Sequence, residues 1–196
     1  RQDGEDGYNV SAGKTNDGFY SDIFRYQSNW MRDANTCIKL IQEPQGTWTA
    51  HETEFYPNLL SMARIWRVQM MAQFVDNFGP APLNGFQGVN PEFSSEKDAY
   101  YWMLDELAQA INGINTSVAP DDTEKKNDPV FEFDATKWKN YGISLRMRLA
   151  MRLSEADPAK AKSEFEAAVA QGSGIRTVDG LLPCRSMTAG ATGRVR

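Results

Sequence analysis

DATKWKNYGISLRMRLAMRLSEADPAKAKSEFEAAV, residues 134–169, is the stretch from which the fold of this 196-residue chain is best inferred. Its first half has large apolar residues three or four positions apart, the spacing of an amphipathic helix: Trp138, Tyr141, Leu145 and Leu149. Asp134 is suited to cap the start of that helix. Asp157 followed by Pro158 predicts a second, shorter helix that ends at Gly172. Two helices joined this closely form a hairpin, the unit of stacked helical arrays.

Three more helices are predicted before this hairpin. The first ends before Pro44, the second covers about residues 53–77 with Pro57 in its first turn, and the third opens at Ser95. The residues expected to face the core are Ile23, Tyr26, Trp30, Cys37 and Ile41; then Phe55, Leu59, Met62, Trp66, Met70 and Phe74; then Tyr101, Leu104, Leu107 and Ile111; and, in the last helix, Phe165, Ala168 and Val169. The second helix is apolar on further sides and is expected to pack against more than one neighbour. No run alternates with period two, so the expected fold class is all-α, with tetratricopeptide-like stacked helix pairs.

The domain organisation follows from where this pattern begins and ends. Residues 1–18 are rich in Gly and Asp and are predicted as a loop or frayed lead-in, and residues 19–171 as the helical domain. The polar stretch from Asn112 to Asp128 is predicted as a solvated loop. Residues 172–196 carry four arginines against one aspartate and lack a helical period, so they are predicted to be an irregular tail that does not continue the domain.

Charge and residue counts exclude several classes of function. A net charge of -5 and a pI near 5.0 argue against nucleic acid as a partner, because phosphate binding needs a basic face. No stretch approaches the roughly 18 apolar residues of a membrane-spanning helix. Cys37 and Cys184 lie far apart with no neighbouring histidine, which excludes the usual zinc patterns. His51 is the single histidine, and its H-E-x-x pattern ends at Phe55 where a second histidine is required, so no metal site and no cofactor are predicted.

The arginines and aromatic residues are the remaining candidates for binding. Arg146, Arg148 and Arg152, like Arg64 and Arg67, are interpreted as pairing with acids such as Glu155, the alternative being a site for phosphate or an acidic sugar. The tryptophans inside helical patterns are interpreted as core: Trp30, Trp66, Trp102 and Trp138.

A different group of aromatic residues lies in loops. Trp48, Phe86 and Phe93 stand among Gly, Asn, Gln and Thr, and with Asn90 they form the predicted ligand-binding set. An aromatic face beside amide groups is typical of sites for planar or sugar ligands. The alternative is that each ring packs over a helix end as a local plug.

Several segments together resemble one family. The long helix ending in F-G-x-x-P-L at residues 78–83 and the run W-K-N-Y-x-x-S-L-R-M-R-L-A-x-R-L at 138–153 are similar to the SusD-like family, in particular its SusD/RagB-type branch. The segments NWMRDANTCIKLIQEP and YYWMLDEL agree in order and spacing. The resemblance covers about residues 20–171.

The resemblance implies a non-catalytic surface lipoprotein of an outer membrane. Such proteins bind oligosaccharides or other nutrients through loop aromatics and polar groups, and they pass them to a TonB-dependent, SusC-like transporter barrel. A membrane contact is then expected only through a lipid anchor, and this sequence lacks the lipid-bearing cysteine. Family members are usually much longer than 196 residues, so an incomplete domain is expected. Two alternatives remain open: a helical-repeat scaffold for a protein partner, using the apolar surface of residues 53–78, and a glycoside-processing enzyme.

Overall fold

The computed structural model describes residues 17–44, 46–86 and 92–172, with side chains described from Asp22 onward. Within these ranges the chain forms six helices and no strand, and one isolated bridge pairs Ala81 with Ser94. The helices are α1 (Asp17–Gln42), α2 (Ala50–Phe78), α3 (Glu96–Gly113), α4 (Asp122–Lys125), α5 (Ala135–Arg152) and α6 (Pro158–Gln171). The predicted all-α class is therefore confirmed. The predicted lead-in and tail lie mostly outside the described residues, and α1 begins at Asp17.

The long helices stack in chain order. α1 packs on α2, α2 on α3, α3 on α5 and α5 on α6. Phe24 meets Phe78 and Asn35 meets Arg67, so α1 and α2 run antiparallel. α2 also touches α5, which confirms that it packs on more than one side. Its buried residues lie all round the helix, as expected for the central helix of a stack.

Helix starts follow the predicted capping residues. The side chains of Ser95, Asp134 and Asp157 each accept a hydrogen bond from the backbone N–H three residues on. α2 begins earlier than expected, because Thr49 and Glu52 form a reciprocal capping box that was not predicted. Pro57 is consequently the eighth residue of α2 and lies inside the helix, so its predicted place in the first turn is wrong.

Most of the predicted core is correct in the central helices, although Leu59 of α2 and Tyr101 of α3 are only half-buried. Trp138, Tyr141, Leu145 and Leu149 of α5 are all buried, as are Leu104, Leu107 and Ile111 of α3. At Gly142 an added Cβ would lie 2.9 Å from side-chain atoms of both Ile65 and Ile111. The absence of a side chain there is what lets α5 approach α2 and α3 so closely.

Predictions fail on α1 and α6, at the edges of the stack, and at Trp66 on a flank of α2. α1 buries Met31, Ala34, Ile38 and Ile41, while Tyr26 and Trp30 are 52% and 48% exposed. The predicted stripe of α1 runs through Tyr26 and Trp30, one position away from the buried stripe that includes Met31 and packs on α2. Trp66 is 37% exposed because it lies on a flank of α2 where, with Trp30, it lines an apolar groove of about 430 Å³. Val169 of α6 was predicted as core but is 50% exposed, whereas Glu164 of the same helix is buried.

The stretch predicted as a solvated loop contains ordered structure. Asp121 caps the single turn α4, and Asp128 is 5% exposed although it is charged. Both Asp128 oxygens accept hydrogen bonds from the turn that leads into α5. The Asp128 side chain therefore faces inward although the stretch around it is polar in composition. The prediction that Asp128 belongs to a solvated loop is wrong. Among the described helices, none is both long and apolar enough to cross a bilayer.

Candidate functional site

A cleft of about 620 Å³ lies between α1 and the loop that follows α2. Among the residues that the structure describes, Phe86 contributes the only aromatic ring to its wall. The polar positions come mainly from one face of α1, and the full lining is Arg32, Asn35, Thr36, Ile38, Lys39, Gln42, Glu43, Arg67 and Phe86. A cavity of this size with one ring and several convergent polar groups has the general form of a ligand site.

Phe86 is held in an uncommon backbone conformation. Its φ is +63°, the left-handed region that a bulky residue rarely adopts. The ring packs edge-on against Phe74 of α2 with centroids 5.3 Å apart, and the Asn35 amide donates to the carbonyl of the preceding Gly85 at 3.3 Å. These contacts offset a backbone strain of about 1–3 kcal/mol. Strained residues held in this way are frequent at ligand sites.

Arg67 fixes the floor of the cleft. Its guanidinium donates to Asn35 Oδ1 at 3.1 Å and to Glu106 Oε1 of α3 at 2.6 Å. Arg64 donates to the same Glu106 oxygen, also at 2.6 Å. The Asn35 side chain is therefore held at both ends, by Gly85 through its amide nitrogen and by Arg67 through its oxygen. Three helices and the loop are thus linked through one network of hydrogen bonds.

Burial and ion pairing act in opposite directions on this network. Burial lowers the pKa of Arg67, while the neighbouring Glu106 carboxylate favours its charged form. Burial alone would raise the pKa of Glu106, but hydrogen bonds and charge from Arg64 and Arg67 outweigh it and hold that pKa below its ordinary value. Glu106 therefore stays ionised and keeps both guanidiniums in place.

The cleft presents little unbalanced charge. Arg32 pairs with Asp33 at 3.0 Å, Lys39 approaches Glu43 at 3.9 Å, and Arg67 pairs with Glu106. What remains for a ligand is one aromatic ring beside amide and hydroxyl groups. Such a surface suits a neutral ligand that has both an apolar face and many hydrogen-bonding groups.

The predicted set of ligand-binding residues is separated by the fold. Phe86 lines the cleft, and Phe93 is 61% exposed just before the Ala81–Ser94 bridge that closes the same loop. Asn90 lies outside the described residues. The Trp48 ring packs edge-to-face against Tyr56, with ring centroids 5.2 Å apart. Tyr56 and Phe74, the ring that supports Phe86, are 18 residues apart on α2, or about 27 Å along the helix.

Sequence reasoning missed Asn35 and the role of Arg67. Their distance of 32 positions in the chain leaves no local signal, since only the packing of α1 on α2 brings them together. The interpretation of the arginines as ion-paired is confirmed for Arg64, Arg67, Arg146 and Arg152. It is wrong for Arg148, which donates to the side-chain oxygen of Gln69. Arg146 pairs with the buried Glu164 and not with Glu155, and Arg152 bonds Asp76 and Tyr100.

His51 lies at a second cluster of ionisable groups. One ligand atom each from His51, Asp121 and Glu124 falls within 4.8 Å of the others, an arrangement that can hold a metal ion. Both carboxylates already accept backbone N–H bonds in the capping box of α4. His51 Nε2 is 2.9 Å from Glu124 Oε2. A capping box joined to a histidine–glutamate pair explains this geometry.

This pair predicts a measurable histidine pKa. The hydrogen bond to Glu124 raises the pKa of His51 above its ordinary value of about 6.5. The stabilisation that the His51–Glu124 pair gives the folded protein is therefore complete below the unfolded-state pKa of His51, and it is lost as the pH rises through the folded-state pKa. Because the chain has one histidine, its imidazole signals in an NMR titration are unambiguous. We expect Glu124→Gln to return the pKa toward 6.5; a wild-type value at or below 6.5 contradicts the pairing.

The chain is similar to a described family and to solved structures. The family model for SusD-like proteins, described as Susd and RagB outer membrane lipoprotein, matches residues 6–181. A SusD homolog from Parabacteroides distasonis is 33% identical, with a TM-score of 0.68 over 80% of this chain and 29% of its own. A SusD homolog from Bacteroides uniformis is 26% identical, with a TM-score of 0.60 over 72% and 28%.

Another similar structure carries a ligand in its description. It is a chitin-binding SusD homolog from Flavobacterium johnsoniae, 25% identical, with a TM-score of 0.65 over 79% of this chain and 31% of its own. The search among curated proteins returned no match. The chain thus spans less than a third of the length of these relatives.

Proposed function

Because the chain belongs to the SusD-like family of Susd and RagB outer membrane lipoproteins, we propose that it binds oligosaccharide nutrients at the cell surface without cleaving them. The observation that carries this proposal is the cleft beside Phe86. There an aromatic ring, fixed in a strained conformation, stands next to amide groups, and the cations of the cleft have acidic partners. The description of one relative as chitin-binding supports the same class of ligand.

The chemistry of the cleft fits a sugar better than a charged ligand. A pyranose ring exposes C–H groups on its faces, which stack on an aromatic ring, and its hydroxyls exchange hydrogen bonds with amides. Gln42 supplies an amide, and Asn35 keeps one amide N–H beyond its bond to Gly85. The Thr36 hydroxyl donates to the Arg32 carbonyl and can accept through its oxygen, and Phe86 supplies the ring. Binding of this kind needs no nucleophile or general base, and none is proposed. Phe93 and Asn90 follow Phe86 in the same loop and are proposed to extend the site, whereas Trp48 is proposed as a separate contact.

The experiment is calorimetry of the chain against neutral oligosaccharides. Chitohexaose is the first probe because one relative is described as chitin-binding, and maltohexaose and cellohexaose test the breadth of binding. We expect saturable binding of at least one of them, and chromatography of the mixture is expected to show no shorter products. Hydrolysis of the probe would favour the enzyme alternative. Absence of heat with all three neutral sugars, together with tight binding of an anionic one, would contradict the neutral cleft.

We further propose that the bound sugar is passed to a TonB-dependent, SusC-like barrel and that the protein is held at the outer membrane by a lipid. The support is the description of the family as an outer membrane lipoprotein. Co-purification of a barrel protein with this protein from solubilised outer membranes is the expected result. Recovery of the protein from outer membranes without any barrel would contradict delivery while leaving sugar binding in place.

A further inference from the structure

Two aromatic side chains stand on an exposed flank of α1 beside α2, away from the cleft next to Phe86. Tyr26 and Trp30 lie one helical turn apart, with ring centroids separated by 6.4 Å and planes inclined by 30°. They are 52% and 48% exposed, although residues of this kind are normally covered. Arg25 lies over the Tyr26 ring at 5.2 Å and pairs with Asp22. About half of each side chain is therefore available to a ligand.

A pocket of about 420 Å³ opens beside these rings, between α1 and the end of α2. Its polar lining is formed by Gln27 of α1 and by Gln73, Asp76 and Asn77 of α2. The Asp76 carboxylate is occupied, because Tyr100 donates to it at 3.0 Å and Arg152 pairs with it. The groups left to a ligand are three side-chain amides, each with one acceptor oxygen and two N–H donors.

Gln27 lines this pocket and has a buried side-chain oxygen that lacks a hydrogen-bond donor among the described residues. The residue is 6% exposed. An unpaired buried carbonyl is unfavourable, and native structures seldom keep one without a reason. A hydroxyl or amide N–H of a bound molecule would satisfy it after a small rotation of the side chain.

We propose that this pocket, with the surface of Tyr26 and Trp30, is a second oligosaccharide-binding site. The inference rests on the proposed function and adds a place and a ligand class to it: a neutral sugar whose ring lies on the two aromatic side chains. An apolar peptide would fit the rings but would bury the amides of Gln27, Gln73 and Asn77 without partners. A charged ligand would find no unpaired opposite charge in this pocket, because the Asp76 carboxylate is already paired with Arg152.

The first arm of the test is NMR of the tryptophan indole N–H groups during titration with chitohexaose, with maltohexaose as the second probe. The chain has five tryptophans, and the peak of Trp30 is assigned by its absence in Trp30→Ala. We expect the Trp30 peak to shift saturably, and to do so also in Phe86→Ala, which removes the aromatic ring of the cleft. A Trp30 peak that stays fixed while a bound sugar moves other peaks would overturn the second site and leave the proposed function standing. No shift and no binding heat with these two probes or with cellohexaose would overturn both.

The second arm is calorimetry of the double variant Tyr26→Ala/Trp30→Ala. Both side chains are half exposed on a helix surface and alanine favours helix, so the variant is expected to fold. Leu40→Ala is the matched control, because Leu40 is an exposed apolar residue of α1 outside the pocket. We expect the double variant to lose one of two binding events, or to bind about tenfold more weakly, with the control unchanged. Wild-type stoichiometry and affinity in the double variant would refute the site.

Discussion

Asp128→Ala is expected to cost about 4 kcal/mol of the free energy of unfolding, because it leaves buried N–H donors without an acceptor. Asp128 Oδ1 accepts from the backbone N–H groups of Val130 and Phe131, at 2.9 and 3.3 Å. Its Oδ2 accepts from the N–H of Phe133 and from the indole of Trp138, at 2.9 and 2.7 Å. In a chain of this size the melting temperature is expected to fall by about 8–16 °C.

The turn that Asp128 holds is strained, so it keeps its conformation only while the hydrogen bonds of Asp128 over-determine it. Glu132 and Phe133 have φ values of +56° and +53°, in the left-handed region. Asp128→Asn keeps one acceptor oxygen and is expected to lose about half as much stability. Asp122→Ala is the matched control, since the Asp122 side chain is 93% exposed and pairs only with Lys125 among the described contacts. Equal melting temperatures for Asp128→Ala and Asp122→Ala would contradict the role of Asp128.

Glu106→Gln is expected to cost about 3 kcal/mol, because one partner of a buried ion pair is removed. Glu106 is 9% exposed and accepts from both Arg64 and Arg67. The loss is expected to be pH-dependent. The pKa of Glu106 is depressed in the folded protein, so its contribution is present above the unfolded-state value of about 4.3 and disappears as the pH falls through the folded-state value.

The measurement is chemical denaturation of wild type and Glu106→Gln at pH 7 and at low pH. The difference between their free energies of unfolding is expected to shrink on acidification. Glu155→Gln serves as the control, because Glu155 is an exposed glutamate of the same charge. The variant is also expected to weaken sugar binding, because Arg67 loses its anchor and Asn35 is no longer fixed. A constant difference in stability across the pH range would contradict an ionised Glu106 in the folded state.

The sequence predicts the helices well because capping and periodicity are local properties. Asp134 and Asp157 were identified as helix starts, and the core of α5 was found from spacing alone. At the edges of the stack the same spacing is ambiguous by one position. The spacing of Trp30 from Tyr26 and Cys37 predicts that it faces the core, yet Met31 is buried and Trp30 is half exposed. Which of two adjacent stripes is buried depends on a neighbouring helix, and spacing along one helix does not contain that information.

The candidate site could be predicted only in part. Phe86 was identified from its loop context, a local feature. Asn35 and Arg67 reach the cleft through packing between helices, and Asp128 is buried inside a stretch whose composition is that of a solvated loop. The resemblance to the SusD-like family is confirmed by the match over residues 6–181, and it is the basis of the proposed class of function, which no single residue could indicate.

The central claim is that a neutral oligosaccharide binds in the cleft beside Phe86. Calorimetry with chitohexaose tests it most directly, comparing wild type, Phe86→Ala and Met151→Ala, the last at an exposed apolar residue of α5 outside the cleft. We expect Phe86→Ala to weaken the cleft binding event about tenfold or more and Met151→Ala to leave it unchanged. Trp48→Ala is expected to have a smaller effect than Phe86→Ala. Wild-type affinity in a folded Phe86→Ala variant would contradict the claim.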